Sequence, residues 1–198
     1  MNIPYYQGFE HLCQSLSTRL SADELNRVRM AYELARSAHD GQMRDEGTPY
    51  ILHPIRVATI LSQELALYSS DLACAALLHD VVEDSTVTRE DIEAEFGNTV
   101  ARIVWLLTKL PEVSLPAYLA AIEQASAIKA PVVKLCDRLD NLRFLMRSPK
   151  ADKKRRYIKT TELYYLPLAA RTNKYLHDQL EAALELTRAT FGRSSSCE

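Results

Sequence analysis

Apolar residues recur with helical periodicity along most of this 198-residue chain, and the alternation typical of β-strands is nearly absent. Only five glycines occur in the whole sequence. Two capping boxes mark helix starts, because Ser21 precedes Glu24 by three residues and Thr88 precedes Asp91 by three. We therefore predict an all-α fold, a bundle of about eight to ten helices.

Proline and glycine residues separate the periodic segments from one another. Pro54 suits a first helical position, whereas Gly97 and Pro111 end the segments before them. The predicted helices cover residues 21–39, 54–61, 71–83, 88–97, 99–109, 116–128, 131–147, 150–170 and 172–190, with a kink at Pro167.

Length, charge and cysteine usage limit the class of protein. The length suits one domain, which we place at residues 1–191 and follow with a disordered tail at 192–198. A net charge of −2 and a pI near 6.2 argue against non-specific binding to nucleic acid. No segment reaches the roughly 18 apolar residues of a membrane span, and the four cysteines form no C-x-x-C pair. The first residues have neither a basic start nor a long apolar run, so we expect no signal peptide. We expect a cytoplasmic protein with buried free thiols.

The predicted helix 71–83 is apolar almost all round and then gathers four ionisable residues, His79, Asp80, Glu83 and Asp84. Isolated charges are costly in a buried helix, so this group needs compensation. Its members form two pairs spaced four residues apart, so each pair would share a helical face. A bound cation would offset the repulsion among the three carboxylates.

Two residues elsewhere in the chain could complete a metal site. His53 directly precedes Pro54, and Asp137 lies on another largely apolar helix. Two imidazoles and two carboxylates form a mixed set that suits manganese, iron or zinc, and such an ion acidifies water and polarises a phosphoryl oxygen. The residues alone support a second interpretation about equally, in which His79 is a hydrogen-bonded core histidine and Asp80 a charge at a helix end.

Longer segments carry a resemblance to a known family. They are AHDGQMR at 38–44, GTPYILHP at 47–54, AALLHDVVED at 75–84, the runs 87–97 and 104–110, KLCDRLDNLR at 134–143 and YLPLA at 165–169. In these segments the chain resembles the HD-domain hydrolases of the RelA/SpoT type, especially the small stand-alone alarmone hydrolases of the Mesh-like branch.

The resemblance implies an HD-domain helical bundle with one divalent metal, typically Mn²⁺, bound by His53, His79, Asp80 and Asp137. It implies that Glu83 and Asp84 position the attacking water or move its proton. The reaction would remove the 3′-pyrophosphate from (p)ppGpp or (p)ppApp, giving GDP/GTP or ADP/ATP. Too few residues follow for the family's synthetase domain, so we expect degradation of alarmone only.

The resemblance also assigns substrate contacts. Arg44 matches a position that contacts the base, Lys109 a phosphate-facing lysine, and Asn141 and Tyr165 positions in the same cleft. Each has an ordinary alternative: a solvated loop arginine, a lysine complementing a helix end, a surface asparagine and a core tyrosine. The basic run 150–159 is either a solvated face or an attraction for a polyanionic substrate.

The sequence departs from the family pattern at Asp45, Asp140 and Phe144, where relatives commonly carry lysine, histidine and threonine. None of the three is expected to touch a metal ligand, but all are expected near the nucleotide pocket. An aspartate beside Arg44 suits the amino group of adenine, which leads to the hypothesis that (p)ppApp is accepted at least comparably to (p)ppGpp. The alternative is that Asp45 points into solvent and merely pairs with a cation of its loop.

Three hypotheses about function follow. The first is an alarmone 3′-pyrophosphohydrolase, the second a broader HD phosphohydrolase acting on nucleotides such as NADPH, and the third a non-catalytic alarmone sensor. A sensor would need neither Glu83 nor Asp84, so their presence argues against the third. The expected partner is a small nucleotide, not nucleic acid or membrane, and a homo-oligomer is compatible with the sequence.

Overall fold

Helices make up nearly all of the regular structure in the computed structural model, which describes residues 3–194. The α-helices are α1 (Ile3–Ser17), α2 (Ala22–Ala38), α3 (Leu52–Thr59), α4 (Ser70–Leu78), α5 (Val81–Asp84), α6 (Arg89–Leu107), α7 (Leu115–Gln124), α8 (Ala130–Leu145), α9 (Ala151–Thr160), α10 (Leu166–Thr172) and α11 (Lys174–Ser194). Two π-helical segments, Ile60–Glu64 and Thr161–Tyr165, and a 3₁₀ turn at Ser126–Ile128 complete the set. The predicted all-α class is confirmed.

Both predicted capping boxes are present and begin the helices assigned to them. The amide of Ser21 donates to Glu24 at 2.9 Å, and the Glu24 amide donates back to the Ser21 hydroxyl at 3.3 Å. Thr88 and Asp91 exchange the same two bonds at 2.9 and 3.2 Å. Such pairs satisfy amides at the helix start that have no partner inside the helix. Because the two residues are only three apart, the sequence alone predicts them.

The predicted helix 71–83 is wrong as a single element. It ends at Leu78, the backbone passes through a turn at His79 and Asp80, and α5 resumes at Val81. His79 is buried whereas Glu83 is exposed, so the two members of that pair lie in different environments. The turn separates a buried, ligand-bearing helix end from acidic residues that reach solvent.

Other boundaries also differ from the prediction. Helix α1 was not expected, although its buried residues Phe9, Leu12, Cys13 and Leu16 have helical spacing. The segment predicted over 150–170, with a kink at Pro167, contains a π turn just before that proline. The predicted break at Gly97 is present, since this residue interrupts α6 with φ 83° and ψ 166°. Helix α11 reaches Ser194, and the rest of the predicted tail lies outside the described residues.

The core is built around α4, whose residues from Leu72 to Leu78 are all buried. Helices α2, α3, α6 and α8 pack around it, and α8 also contacts α3, α7 and α11. The meeting of α3, the end of α4 and α8 brings His53, His79 and Asp137 to one place.

Three cysteines are free and buried, as predicted, and Cys197 lies outside the described residues. Burial raises the pKa of the Cys74 thiol to about 12, so it stays protonated. Within the described part of the chain, no helix combines the length and apolar character needed to cross a bilayer.

Candidate active site

Four side-chain atoms converge where α3, the end of α4 and α8 meet. Nε2 of His53 lies 3.2 Å from Oδ1 of Asp137 and 3.7 Å from Oδ2 of Asp80. Nε2 of His79 lies 3.1 Å from the same Asp80 oxygen and 3.8 Å from the same Asp137 oxygen. The ligands of one transition-metal ion, each about 2.1 Å from it, stand at similar separations from each other.

The two imidazoles are oriented so that each presents Nε2 to this point. Nδ1 of His79 lies 2.8 Å from the Ala76 carbonyl, and Nδ1 of His53 lies 2.6 Å from Oδ2 of Asp140. Because an Nδ1–H donates in both contacts, Nε2 is the nitrogen that each ring can offer to a metal ion.

The Nε2 atom of His79 tests whether a cation fits. It is fully buried and makes no hydrogen bond with any described residue. Buried polar atoms seldom lack a partner. The oxygens of Asp80 and Asp137 near this nitrogen can only accept, so a proton or a cation must lie between them and Nε2. His53, His79 and Asp80 form a group able to hold a metal ion, with one ligand atom from each lying within 4.8 Å of the others.

The charges of the group also favour a cation. Burial would lower the pKa of His79, but Asp80 and Asp137 raise it to about 9, so the site retains a proton at neutral pH. Burial would raise the pKa of Asp137, but the Lys134 ammonium 2.9 Å away and the two histidines hold it well below its usual range. A metal ion would compete with that proton for the same lone pair, which makes metal binding pH-dependent.

Glu83 and Asp84 lie at the exposed edge of the site rather than inside it. An oxygen of Glu83 accepts from the Lys109 amide at 3.0 Å, and the Asp84 carbonyl accepts from the Gln42 side chain at 3.2 Å. Burial and the charge of Asp80 raise the pKa of Asp84. Both carboxylates therefore lie beside the histidine cluster while remaining open to water.

A cavity of about 380 Å³ opens beside the cluster and is large enough for part of a nucleotide. Ten of the eleven residues singled out in the sequence line it, and the eleventh, His79, is buried and does not. The ten are Arg44, Asp45, His53, Asp80, Glu83, Asp84, Lys109, Asp137, Asn141 and Tyr165. The structure thus brings together groups that lie as far as 121 residues apart, counted from Arg44 to Tyr165.

Arg44 is connected to the histidine cluster through Asn141. Its guanidinium donates to the Asn141 side-chain oxygen at 2.6 Å, and the Asn141 amide donates to Oδ1 of Asp137 at 2.5 Å. Arg44 also contacts Glu46 at 3.2 Å and lies 5.5 Å from the Tyr50 ring. A ligand bound to Arg44 would therefore be connected to Asp137 through the hydrogen bonds of Asn141.

The three departures from the family pattern lie in different surroundings. Asp45 lines the cavity, but Lys150 and Lys153 pair with its two oxygens at 2.6 and 2.7 Å. Asp140 and Phe144 instead line a separate cleft beside Arg56. The expectation that none touches a proposed metal ligand is wrong for Asp140, which lies 2.6 Å from His53.

Sequence reasoning missed several residues of the site. Tyr50 donates to Asp80 at 2.7 Å, Lys134 pairs with Asp137, and Tyr157 lines the cavity. Lys134 precedes Asp137 by three residues on one predicted helix, so helical spacing from that ligand was a usable signal. Tyr50 lies in the turn before α3, where no helical spacing applies. Lys153 belongs to the basic run 150–159, for which an attraction to a polyanionic substrate was one interpretation, and it lines the cavity.

Comparison with known proteins extends these observations. A protein-family model described as an HD domain matches residues 31–173. The bifunctional (p)ppGpp synthase/hydrolase SpoT of Escherichia coli strain K12 is 40% identical over 172 residues, which cover 82% of this chain and 24% of SpoT. The guanosine-3′,5′-bis(diphosphate) 3′-pyrophosphohydrolase of Aquifex aeolicus is 36% identical over 150 residues, covering 73% of this chain and 21% of the relative. This chain thus spans about a quarter of the length of such relatives.

A solved structure is similar over nearly its whole length. It is a metazoan orthologue of SpoT, described as hydrolysing ppGpp and acting in starvation responses. The superposition has a TM-score of 0.71 at 29% sequence identity and covers 86% of this chain and 98% of the orthologue.

Proposed function

Because this chain belongs to the HD-domain family, we propose that it is a metal-dependent hydrolase that removes the 3′-pyrophosphate from alarmone nucleotides, (p)ppGpp or (p)ppApp. The observation that carries the proposal is the convergence of two Nε2 atoms and two carboxylate oxygens beside a cavity with cationic residues. Similarity to proteins named as (p)ppGpp hydrolases supports the substrate class.

His53, His79, Asp80 and Asp137 would hold the metal, and a mixed nitrogen and oxygen set suits Mn²⁺. A divalent cation held there would stabilise negative charge on a phosphoryl oxygen and make a water molecule more acidic. Lys134 pairs with Oδ2 of Asp137, the oxygen that does not face the histidines, and Tyr50 donates to Oδ2 of Asp80, the oxygen nearest them. Both contacts fix the orientation of a carboxylate.

Glu83 and Asp84 would orient the attacking water and accept its proton. Both are open to the cavity, and the raised pKa of Asp84 suits a group that must take up and release a proton. The Lys109 amide holds the Glu83 carboxylate in place, which keeps it at the edge of the site.

The cavity walls would bind the nucleotide. Lys109, Lys134 and Lys153 supply positive charge for a substrate with four or five phosphates. The Arg44 guanidinium could stack on a purine ring, and Tyr157 and Tyr165 supply aromatic faces on the opposite helices. Asn141, already bonded to both Arg44 and Asp137, would connect the base site to the reaction site.

The test is Mn²⁺-dependent turnover of a nucleotide panel that contains ppGpp, ppApp and NADPH. We expect the protein with Mn²⁺ to release pyrophosphate from an alarmone, and the protein treated with a chelator to release none. Release of single phosphate from NADPH alone would instead support the broader phosphohydrolase. Binding of alarmone without any product would support the sensor.

A further inference from the structure

The imidazole of His53 lies between two carboxylates of one helix. Asp137 is 3.2 Å from Nε2 and Asp140 is 2.6 Å from Nδ1, and both belong to α8. The two aspartates are three residues apart, so they share a helical face. The side chains of His53 and Asp140 are each only 1% exposed, so water does not compete for the Nδ1 contact.

The two histidines of the cluster differ in what holds Nδ1. His79 uses the carbonyl of Ala76, one turn earlier in its own helix. His53 uses a carboxylate from a different helix, which carries a full negative charge. A carboxylate that accepts from an imidazole Nδ1–H makes the ring a more basic ligand and fixes its orientation.

Arg56 compensates the buried charge of Asp140. Its Nε donates to Oδ1 at 2.6 Å and its Nη2 donates to Oδ2 at 3.0 Å. The guanidinium also lies 3.8 Å from the centre of the Phe144 ring, one turn after Asp140. A bidentate, stacked arginine of this kind leaves the carboxylate little freedom to turn away from His53.

We propose that Asp140, held by Arg56, is a positioning residue that keeps a proton on Nδ1 of His53 and leaves Nε2 free to bind a divalent cation. Asp140 does not line the cavity, so it acts through His53 and not on the substrate. By orienting a ligand before the cation arrives, it sets the affinity of the protein for that cation. This inference rests on the metal site of the proposed function.

The test is titration of the metal-free, full-length protein with Mn²⁺ at one fixed pH, without substrate. We expect Asp140→Ala to weaken Mn²⁺ binding by about 10- to 100-fold, as loss of such outer partners typically does. Asp140→Asn, which keeps an acceptor but loses the charge, should give a smaller loss, and so should Arg56→Gln. Thermal unfolding of each metal-free variant shows whether it is folded. If Asp140→Ala does not fold, the Mn²⁺ affinities of Asp140→Asn and Arg56→Gln test the inference.

Arg143→Gln is the matched control. Arg143 makes a comparable bidentate pair with Glu64, at 2.6 and 2.9 Å, and also connects α8 to the segment that follows α3, but it does not contact His53. The Mn²⁺ affinity of the Arg143→Gln variant should equal that of the wild type. Wild-type affinity in the Asp140 variants, or an equal loss in Arg143→Gln, would overturn the inference. Absence of Mn²⁺ binding by the wild type would overturn the metal site itself.

Discussion

At the scale of single residues, His79 and Asp80 illustrate how a ligand pair depends on burial. His79 is 1% exposed, and its Nε2 has no hydrogen-bond partner among the described residues. Asp80 accepts from Tyr50 and lies 3.1 Å from that nitrogen. The nitrogen and the carboxylate oxygen of this pair are therefore placed to bind one cation between them.

We predict that His79→Ala or Asp80→Ala abolishes turnover and lowers the metal content of the purified protein. Metal analysis beside an activity assay measures both. Asp71→Ala is the control, because Asp71 lies in the first turn of the same helix and pairs with Arg27 away from the cluster. Full Mn²⁺ occupancy with a normal rate in either ligand variant would refute the assignment.

Glu83 should behave differently from the ligands. It is exposed, and its contact is with the Lys109 amide, so Glu83→Gln should keep metal and fold. We expect the rate to fall by roughly 100-fold or more, as for loss of a general acid-base group. Glu90→Gln, at an exposed acidic residue in the first turn of α6, is the control. An unchanged rate in Glu83→Gln would remove this residue from the mechanism.

At the scale of elements, Asp45 connects the segment between α2 and α3 to α9. It accepts from Lys153 and from Ser148, 108 and 103 residues away in sequence. Hydrogen bonds from Lys150 and Lys153 hold the pKa of Asp45 well below its ordinary value. The contact joins two walls of the cavity.

This lowered pKa predicts how stability depends on pH. A carboxylate whose pKa is lower in the folded state contributes stability above its unfolded pKa of about 4, and the contribution disappears as the pH falls. Asp45→Asn should therefore lower the free energy of unfolding by about 1 kcal/mol at pH 7, since Lys150 is well exposed. Urea unfolding at pH 7 and at the lowest pH where both proteins fold measures the difference. Asp152→Asn, in a fully exposed pair on α9, should show none.

The same pairing bears on base choice. The sequence hypothesis requires Asp45 to accept from adenine, but both of its oxygens already accept from lysines. We therefore expect Asp45→Lys to leave the ratio of kcat/KM for ppGpp and ppApp unchanged, with Asp152→Lys as a control of equal charge. A shift toward ppGpp in Asp45→Lys alone would instead support the hypothesis that Asp45 favours adenine.

At the scale of the whole molecule, the ligands join parts of the chain that are distant in sequence. His53 comes from α3, His79 and Asp80 from the end of α4, and Asp137 from α8. The unfolded chain does not hold these groups together, so a cation that binds them binds mainly the folded state.

Mn²⁺ should therefore raise the unfolding temperature. At about 100 times its dissociation constant, a ligand adds about 2.7 kcal/mol, which for a chain of this size is roughly 5–10 °C. Differential scanning calorimetry with chelator and with added Mn²⁺ measures the shift. Asp80→Asn, which removes a ligand charge at nearly constant shape, should lose most of it. An equal shift in that variant would show that Mn²⁺ binds elsewhere.

The sequence by itself determined the helical class and the capped helix starts, and it identified ten of the sixteen residues that line the cavity. Capping boxes and apolar periodicity are local, since each involves residues three or four apart, and both boxes appear where Ser21 and Thr88 predicted them. The spacing of Phe9, Leu12, Cys13 and Leu16 contained the same kind of signal for α1.

Only the tertiary structure decided what those residues contact. The turn at His79, the pairing of Asp45 with α9 and the position of Asp140 behind His53 all depend on how distant helices pack. Asp140 and His53 are 87 residues apart in sequence. A helical pattern shows which side of α8 is buried, but the residue that meets that side is set by the packing of α3 against it.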